Sequence, residues 1–296
     1  MRTILLSLLW RLGLGLLFGL AGCDGHSGYR KVDGRWAHNG DAFTPEDAAS
    51  FKPLDALFAR DARRGYYRGS AVDGSEGASF EALSEHEARD RLAVYYCDTF
   101  RKGQEYWTVQ HLRIGRLRDA DPATYRVLGQ GYARDAQRVY VDGVPFSVRD
   151  VASFEPLAGD FARDAQRGYY ARLEIPGSHG PSFASIDPRD PDYARDRAHV
   201  YHGHREVNTP NQGPHPVLRI VRQADPATLR VLGRGYASDA THVWHRGELV
   251  TGVDAASFQV DESYVGDADA RDRLGPWSAG RRITPAAPAA AAAKAS

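Results

Sequence analysis

The sequence predicts a mainly β fold: tandem repeats of short antiparallel strands with one-turn helices, stacked into an elongated array. Three observations lead there. An aromatic residue or leucine recurs at Phe51, Phe80, Tyr125, Phe154, Phe183, Leu229 and Phe258, at steps of 29, 45, 29, 29, 46 and 29 residues. Spacing this regular marks a repeat architecture, in which a small unit buries its apolar face against copies of itself. After each of the first six anchors come an aspartate and, five residues beyond it, a second aromatic: Tyr66, Tyr95, Tyr140, Tyr169, Tyr201 and Trp244. Finally, residues 47–149 match residues 150–253 piece by piece, so a longer period overlies the short one.

The elements follow in order from the cleanest copy, 121–148. It opens Asp121-Pro122-Ala123-Thr124-Tyr125. Aspartate is a strong N-cap and proline suits the first helical position. A single helical turn is therefore expected, with Tyr125 and Leu128 on one face and Gly129 ending it. The same phrase recurs. Four residues before the anchor stand Asp47, Glu76, Asp121, Asp150, His179, Asp225 and Asp254, and Ser or Thr precedes the anchor in all seven copies. Three residues after it stand Leu54, Leu83, Leu128, Leu157, Ile186 and Leu232; the last copy has Asp261 there, which marks it as a fraying or capping unit.

Gly131-Tyr132-Ala133-Arg134-Asp135 then reads as a strand running into a polar turn, and Val139-Tyr140-Val141 as its aromatic partner. The aspartate holds the turn by accepting bonds from nearby backbone N–H groups. Asp142-Gly143 between apolar runs is a tight-turn signal. Each unit is thus expected to hold a helical turn and about three short strands. The stretched copies, with Gln104–Leu117 and Val217–Val221, add apolar material suited to an extra strand. Unequal spacings argue against a closed propeller; a single array is favoured over two lobes.

The ends differ from the middle. Residues 1–22 carry Arg2 and Arg11, no acid, and the apolar run Leu12–Leu20. That run is too short to span a bilayer and reads as a signal-peptide core. It ends Leu20-Ala21-Gly22-Cys23, which resembles the lipobox of bacterial lipoproteins. The expectation is acylation of Cys23 and membrane attachment through that lipid. Asp24 resembles the inner-membrane retention signal of enteric bacteria; other lineages use other rules, so inner and outer membranes both stay open. Residues 23–46 read as a linker and partial repeat, 47–149 and 150–253 as two triple repeats, 254–283 as a terminal partial repeat, and 284–296 as a disordered Ala/Pro tail.

Composition excludes some functions. The chain has 38 basic and 38 acidic side chains; without residues 1–22 it has 36 and 38. A surface so evenly mixed offers no footprint for nucleic acid. With Cys23 lipidated, Cys97 has no partner, and the fold relies on no disulfide; Cys97 reads as a small, partly buried side chain.

Side chains with chemical potential fall in a few clusters. His199, His202 and His204 have metal-ligand residue types, with His202 and His204 on one side of a strand. However, His199 and His242 share one repeat position, and His202 and His245 another, which makes them structural. Asp187, Asp190, Asp192 and Asp196, and likewise Asp267, Asp269 and Asp272, form acidic loops of calcium-ligand type but lack EF-hand spacing; they read as solvated turns. Tyr67, Tyr96, Tyr170 and Trp107 are candidates for stacking on sugars, since neighbouring strand residues face opposite ways, but cross-strand aromatic ladders that stabilise the sheet are the favoured reading. No G-x-S-x-G, P-loop, H-E-x-x-H or paired-cysteine motif occurs. Neither catalytic residues nor a cofactor or metal are therefore expected.

The repeat resembles the DKNYY family of bacterial repeat proteins over roughly residues 45–275. The residues that carry this are Ala59-Arg60-Asp61 with Tyr66-Tyr67, Ala88-Arg89-Asp90 with Tyr95-Tyr96, Ala162-Arg163-Asp164 with Tyr169-Tyr170, and the variants His199-Val200-Tyr201 and His242-Val243-Trp244. The chain departs from the family in using Ala, Gln or Arg where Lys-Asn often follows the Asp. The resemblance implies an envelope or surface repeat protein and brings no catalytic residues. The functional expectation is a lipid-anchored, periplasm-facing, non-catalytic interaction or scaffold module. A glycan- or peptidoglycan-binding lipoprotein, or a periplasmic immunity or inhibitor lipoprotein, are the alternatives.

Overall fold

The computed structural model describes residues 28–103, 106–207, 213–261 and 267–283. The signal segment 1–22, Cys23, Asp24 and the tail 284–296 lie outside the described residues. Eight small antiparallel sheets follow one another along the chain, each an up-and-down meander. Sheet one (29–42) has three strands; sheets two (52–71), three (81–116), four (126–146), five (155–174), six (184–220), seven (230–249) and eight (259–282) have four each.

What stacks the sheets is the two-residue alternation of a strand. In sheet five, Ala162 and Tyr169 pack against sheet four, while Phe161 and Tyr170, one residue away from each, pack against sheet six. Sheet six repeats this: Ala194 and Tyr201 face back, Tyr193 and Val200 face forward. Seven core clusters result, one at each junction between successive sheets. Among the described residues no cluster joins sheet eight to sheet one. Among the described residues the core therefore runs junction by junction along a tandem array of sheets.

The anchors are buried as expected, from Phe80 and Phe183 at 0% exposure to Phe51 and Phe258 at 8%. The surrounding element differs from the expectation in two ways. The helical turn is shorter and precedes the anchor. It is a lone 3₁₀ turn at Gly77–Ser79, Gly180–Ser182 and Ala255–Ser257, and a hydrogen-bonded turn in the other copies. The chain after the anchor is already a strand, Arg126–Gly129 in the cleanest copy, so each unit has four strands rather than three. Leu128 consequently does not share a face with Tyr125. Tyr125 packs back toward sheet three and Leu128 forward toward sheet five. Two residues three apart take opposite faces when the backbone is extended. The same split holds for Phe51 and Leu54, Phe80 and Leu83, Phe154 and Leu157, Phe183 and Ile186, and Leu229 and Leu232. Asp261 needs no apolar side chain, because no described sheet lies beyond sheet eight.

The stretched copies likewise add no strand. Their extra residues lengthen the final hairpin: Val94–Phe100 pairs with His111–Arg116, and Val200–Glu206 with His215–Ile220. The tight turn at Asp142-Gly143 is present, with φ of 48° and 72°, the twist that suits a two-residue hairpin. Gly77 and Gly180 are required for another reason: a Cβ there would lie 2.2 and 2.3 Å from the carbonyl oxygens of Asp61 and Asp164.

Each turn aspartate is a buried hub. Asp164 Oδ1 accepts the N–H groups of Gln166 and Arg167 at 2.7 and 2.8 Å, and Oδ2 accepts the Tyr169 hydroxyl at 2.6 Å and the Asp150 N–H at 2.8 Å. Asp61, Asp90, Asp135 and Asp196 repeat the pattern with Tyr66, Tyr95, Tyr140 and Tyr201. The invariant Ser or Thr is a second link: Ser153 Oγ donates to Asp150 Oδ2 at 2.7 Å and accepts the Ala165 N–H at 2.7 Å. The arginine before the hub reaches into the next unit. Arg60, Arg134 and Arg163 donate to carbonyls of the following turn or anchor, such as Phe80 and Phe183.

Removing a hub leaves several buried donors unpaired, each costing about 1–3 kcal/mol. Asp164→Ala is expected to lower stability by roughly 3 kcal/mol or more, and Tyr169→Phe by about 1 kcal/mol, in urea unfolding followed by tyrosine fluorescence.

Candidate functional site

The side chains singled out by sequence divide into those the fold uses and those it leaves at the surface. Among the histidines, His202 is wholly buried and His199 half-exposed. His202 packs edge-on to Tyr193 with ring centres 4.7 Å apart. His38 with Tyr29 and His245 with Tyr236 make the same pairing. In each, the tyrosine hydroxyl bonds across to the next sheet: Tyr29 donates to the Leu57 carbonyl, Tyr193 to that of Gly235, and Tyr236 to Asp269 Oδ1. Among the described residues no group of His, Cys, Asp or Glu is arranged to hold a metal ion.

The acidic loops do not gather into one site. Asp196 and Asp272 are hubs, buried to within 3% and 8%. Asp187 is paired with the exposed Arg189 at 2.7 Å. Asp269 accepts the Tyr236 hydroxyl and the Ala279 N–H. Cys97 is buried completely rather than partly, and burial pushes its thiol up to about 12.

Of the four sugar-stacking candidates, Tyr67 and Tyr170 are buried, at 1% and 3% exposure. For these two the favoured packing reading holds, because each inner sheet is covered on both faces. Tyr96 is half-buried, and only Trp107, 84% exposed, stands in solvent. It lies edge-on to Tyr106, 5.1 Å between ring centres, in the loop of the long sheet-three hairpin. Phe100 and Val109 are exposed on the same hairpin. Arg101 secures the loop by donating to the Tyr106 carbonyl at 2.9 Å. This exposed aromatic pair is thus carried on an element that exceeds the repeat's needs.

The electrostatics are those of groups engaged within the fold. Burial alone would raise the hubs Asp61, Asp135, Asp164, Asp196, Asp239 and Asp272. The backbone N–H and side-chain donors they accept outweigh it and hold all six below the usual carboxylate range. Burial lowers His38, His202 and His245, with His202 held at about 3.

No protein-family model matches the chain, and no curated protein or solved structure matches it either.

These shifts fix the pH response. The histidines charge at lower pH in the fold than in the unfolded chain, so stability falls as pH drops below about 6.5. The aspartates stay charged in the fold below the unfolded value near ~4, so a second loss sets in there and continues through their native pKa values. Urea midpoints measured from pH 8 to pH 2.5 are expected to fall in these two stages, and His202→Phe to shrink the first.

Proposed function

We propose that this protein is a lipid-anchored, non-catalytic interaction scaffold of the bacterial envelope. One observation carries the non-catalytic part: the recurring groups that might do chemistry are already engaged. The hub aspartates hold turns, the tyrosine hydroxyls and serines complete those networks, and the arginines bind the next unit. What the stack leaves free is a long surface of sheet edges and turns, from which two extended hairpins emerge. Arrays of this kind bind through extended surfaces, contact by contact. The lipobox-like Leu20–Cys23 and the DKNYY-like phrases support the envelope location and the membrane anchor on Cys23.

The glycan-binding alternative is favoured by one feature, the exposed Tyr106–Trp107 pair, since an open aromatic face suits a sugar ring. The two readings separate experimentally. A photo-crosslinker introduced near Trp107 in living cells is expected to trap a protein partner identifiable by mass spectrometry. Enrichment of the protein on purified cell wall, lost in Trp107→Ala, would instead favour the glycan. Cys23→Ala is expected to lose the lipid mass and to leave the membrane fraction or stay unprocessed; an unchanged mass would refute the anchor. Hydrolysis of a generic ester or glycan panel would refute the non-catalytic reading.

A further inference from the structure

Sheets six to eight carry a basic surface feature. A cleft of about 350 Å³ opens along their outer edges, lined by His204, Arg219, His245, Arg246, Glu248 and Arg281 among others. It shares Arg219 and Glu248 with a broader groove of about 970 Å³ that adds Arg222. Four arginines and two histidines thus border a surface whose one lining carboxylate, Glu248, is paired with Arg219. Asp192 is half-buried and within electrostatic reach of His204 and Arg246. Asp269 is likewise within electrostatic reach of His245, and the four arginines still outnumber the three acids.

The internal repeat shows that folding does not call for these residues. Glycine at the tight turn approaches the same place in both halves: a Cβ on Gly143 would strike the Tyr96 ring, and one on Gly247 would strike His202. Strand pairing agrees, with Tyr96 opposite Gly115 and His202 opposite Arg219. Aligned in this way and from the hub aspartates, His204, Arg219, His245, Arg246 and Arg281 replace Asp98, Gly115, Val141, Asp142 and Leu173. Two acids and three uncharged residues have given way to five basic ones, clustered at one spot. The half-buried tyrosine of the first half has also become His202, whose ring sits 5.3 Å from that of His204. Both ring nitrogens of His202 and Nδ1 of His204 are buried without a hydrogen-bond partner among the described residues.

We propose that this cleft binds a small anion bearing phosphate or carboxylate groups. Guanidinium forks match the paired oxygens of either group, and the volume lies in the range of small-molecule sites. The anion can be a soluble molecule or the headgroup of an acidic phospholipid, and the chemistry is common to both. The proposal does not depend on the envelope reading, because binding to the purified protein is the same wherever the protein resides.

Two probes test it on the full chain: inorganic phosphate by isothermal titration, and phosphatidylcholine vesicles with and without phosphatidylglycerol by co-sedimentation. The double variant Arg246→Asp/Arg281→Leu introduces residues that the first half already carries at these positions, so its melting temperature should stay close to that of the parent. Saturable phosphate binding, weakened by salt and at least tenfold weaker in the double variant, supports a soluble anion. A phosphatidylglycerol-dependent increment in vesicle binding that the double variant lacks, without a response to phosphate, supports a headgroup. Glu248→Gln, which frees Arg219, should tighten whichever interaction is seen by two- to threefold. No saturable response to either probe, or equal binding by parent and double variant, overturns the proposal.

Discussion

Every inner sheet in this protein is covered on both faces, and most of the structure follows from that constraint. A four-stranded sheet with strands of two to seven residues has too little apolar surface to be stable alone. Placed between two neighbours, it buries both sets of alternating side chains. Phe161 and Tyr170 then serve one junction and Ala162 and Tyr169 the other. In sheet five one face pairs a ring with an alanine, Tyr169 with Ala162, and the other pairs two rings, Phe161 with Tyr170. The array grows by addition, and each junction depends only on the two sheets that form it.

Such thin modules have a high proportion of turn backbone to satisfy, and the hub aspartate answers that need. It gathers N–H groups from its own turn and from the turn that opens the unit, and a tyrosine hydroxyl completes it. The preceding arginine joins one unit to the next through main-chain carbonyls. Where the tyrosine becomes Trp244, the indole N–H turns instead to the Arg222 carbonyl at 3.1 Å, and Asp239 keeps its backbone partners. The backbone part of the hub is therefore the indispensable one, and the hydroxyl an addition.

Much of this was legible in the sequence because repetition supplies its own control. The anchors, hubs, hairpins and tandem array could all be read from residues recurring at fixed offsets. The misplaced helical turn came from one ambiguity: Asp-Pro-x-Thr followed by apolar residues three apart fits a helix, yet the same spacing serves an extended segment that feeds two opposite junctions. Resolving Tyr125 from Leu128 needed the knowledge that both sheet faces are buried. That fact also explains why Tyr67 and Tyr170 are not available to a ligand. The basic cleft was missed for a different reason. Its residues lie far apart in the chain, at 204, 219, 246 and 281. The available signal was the change in charge at equivalent positions of the two halves, which emerges once the halves are aligned by their hubs.

The proposed binding surfaces are what departs from the repeat: the aromatic hairpin of sheet three and the basic edge of sheets six to eight. This holds only if the repeat itself is a chain of local junctions. Amide hydrogen exchange on Tyr170→Ala tests that most directly, since Tyr170 serves the junction between sheets five and six alone. Protection should fall mainly in those two sheets and fade with distance, leaving sheets one and eight near their parental values. An equal loss across all eight sheets would contradict the account.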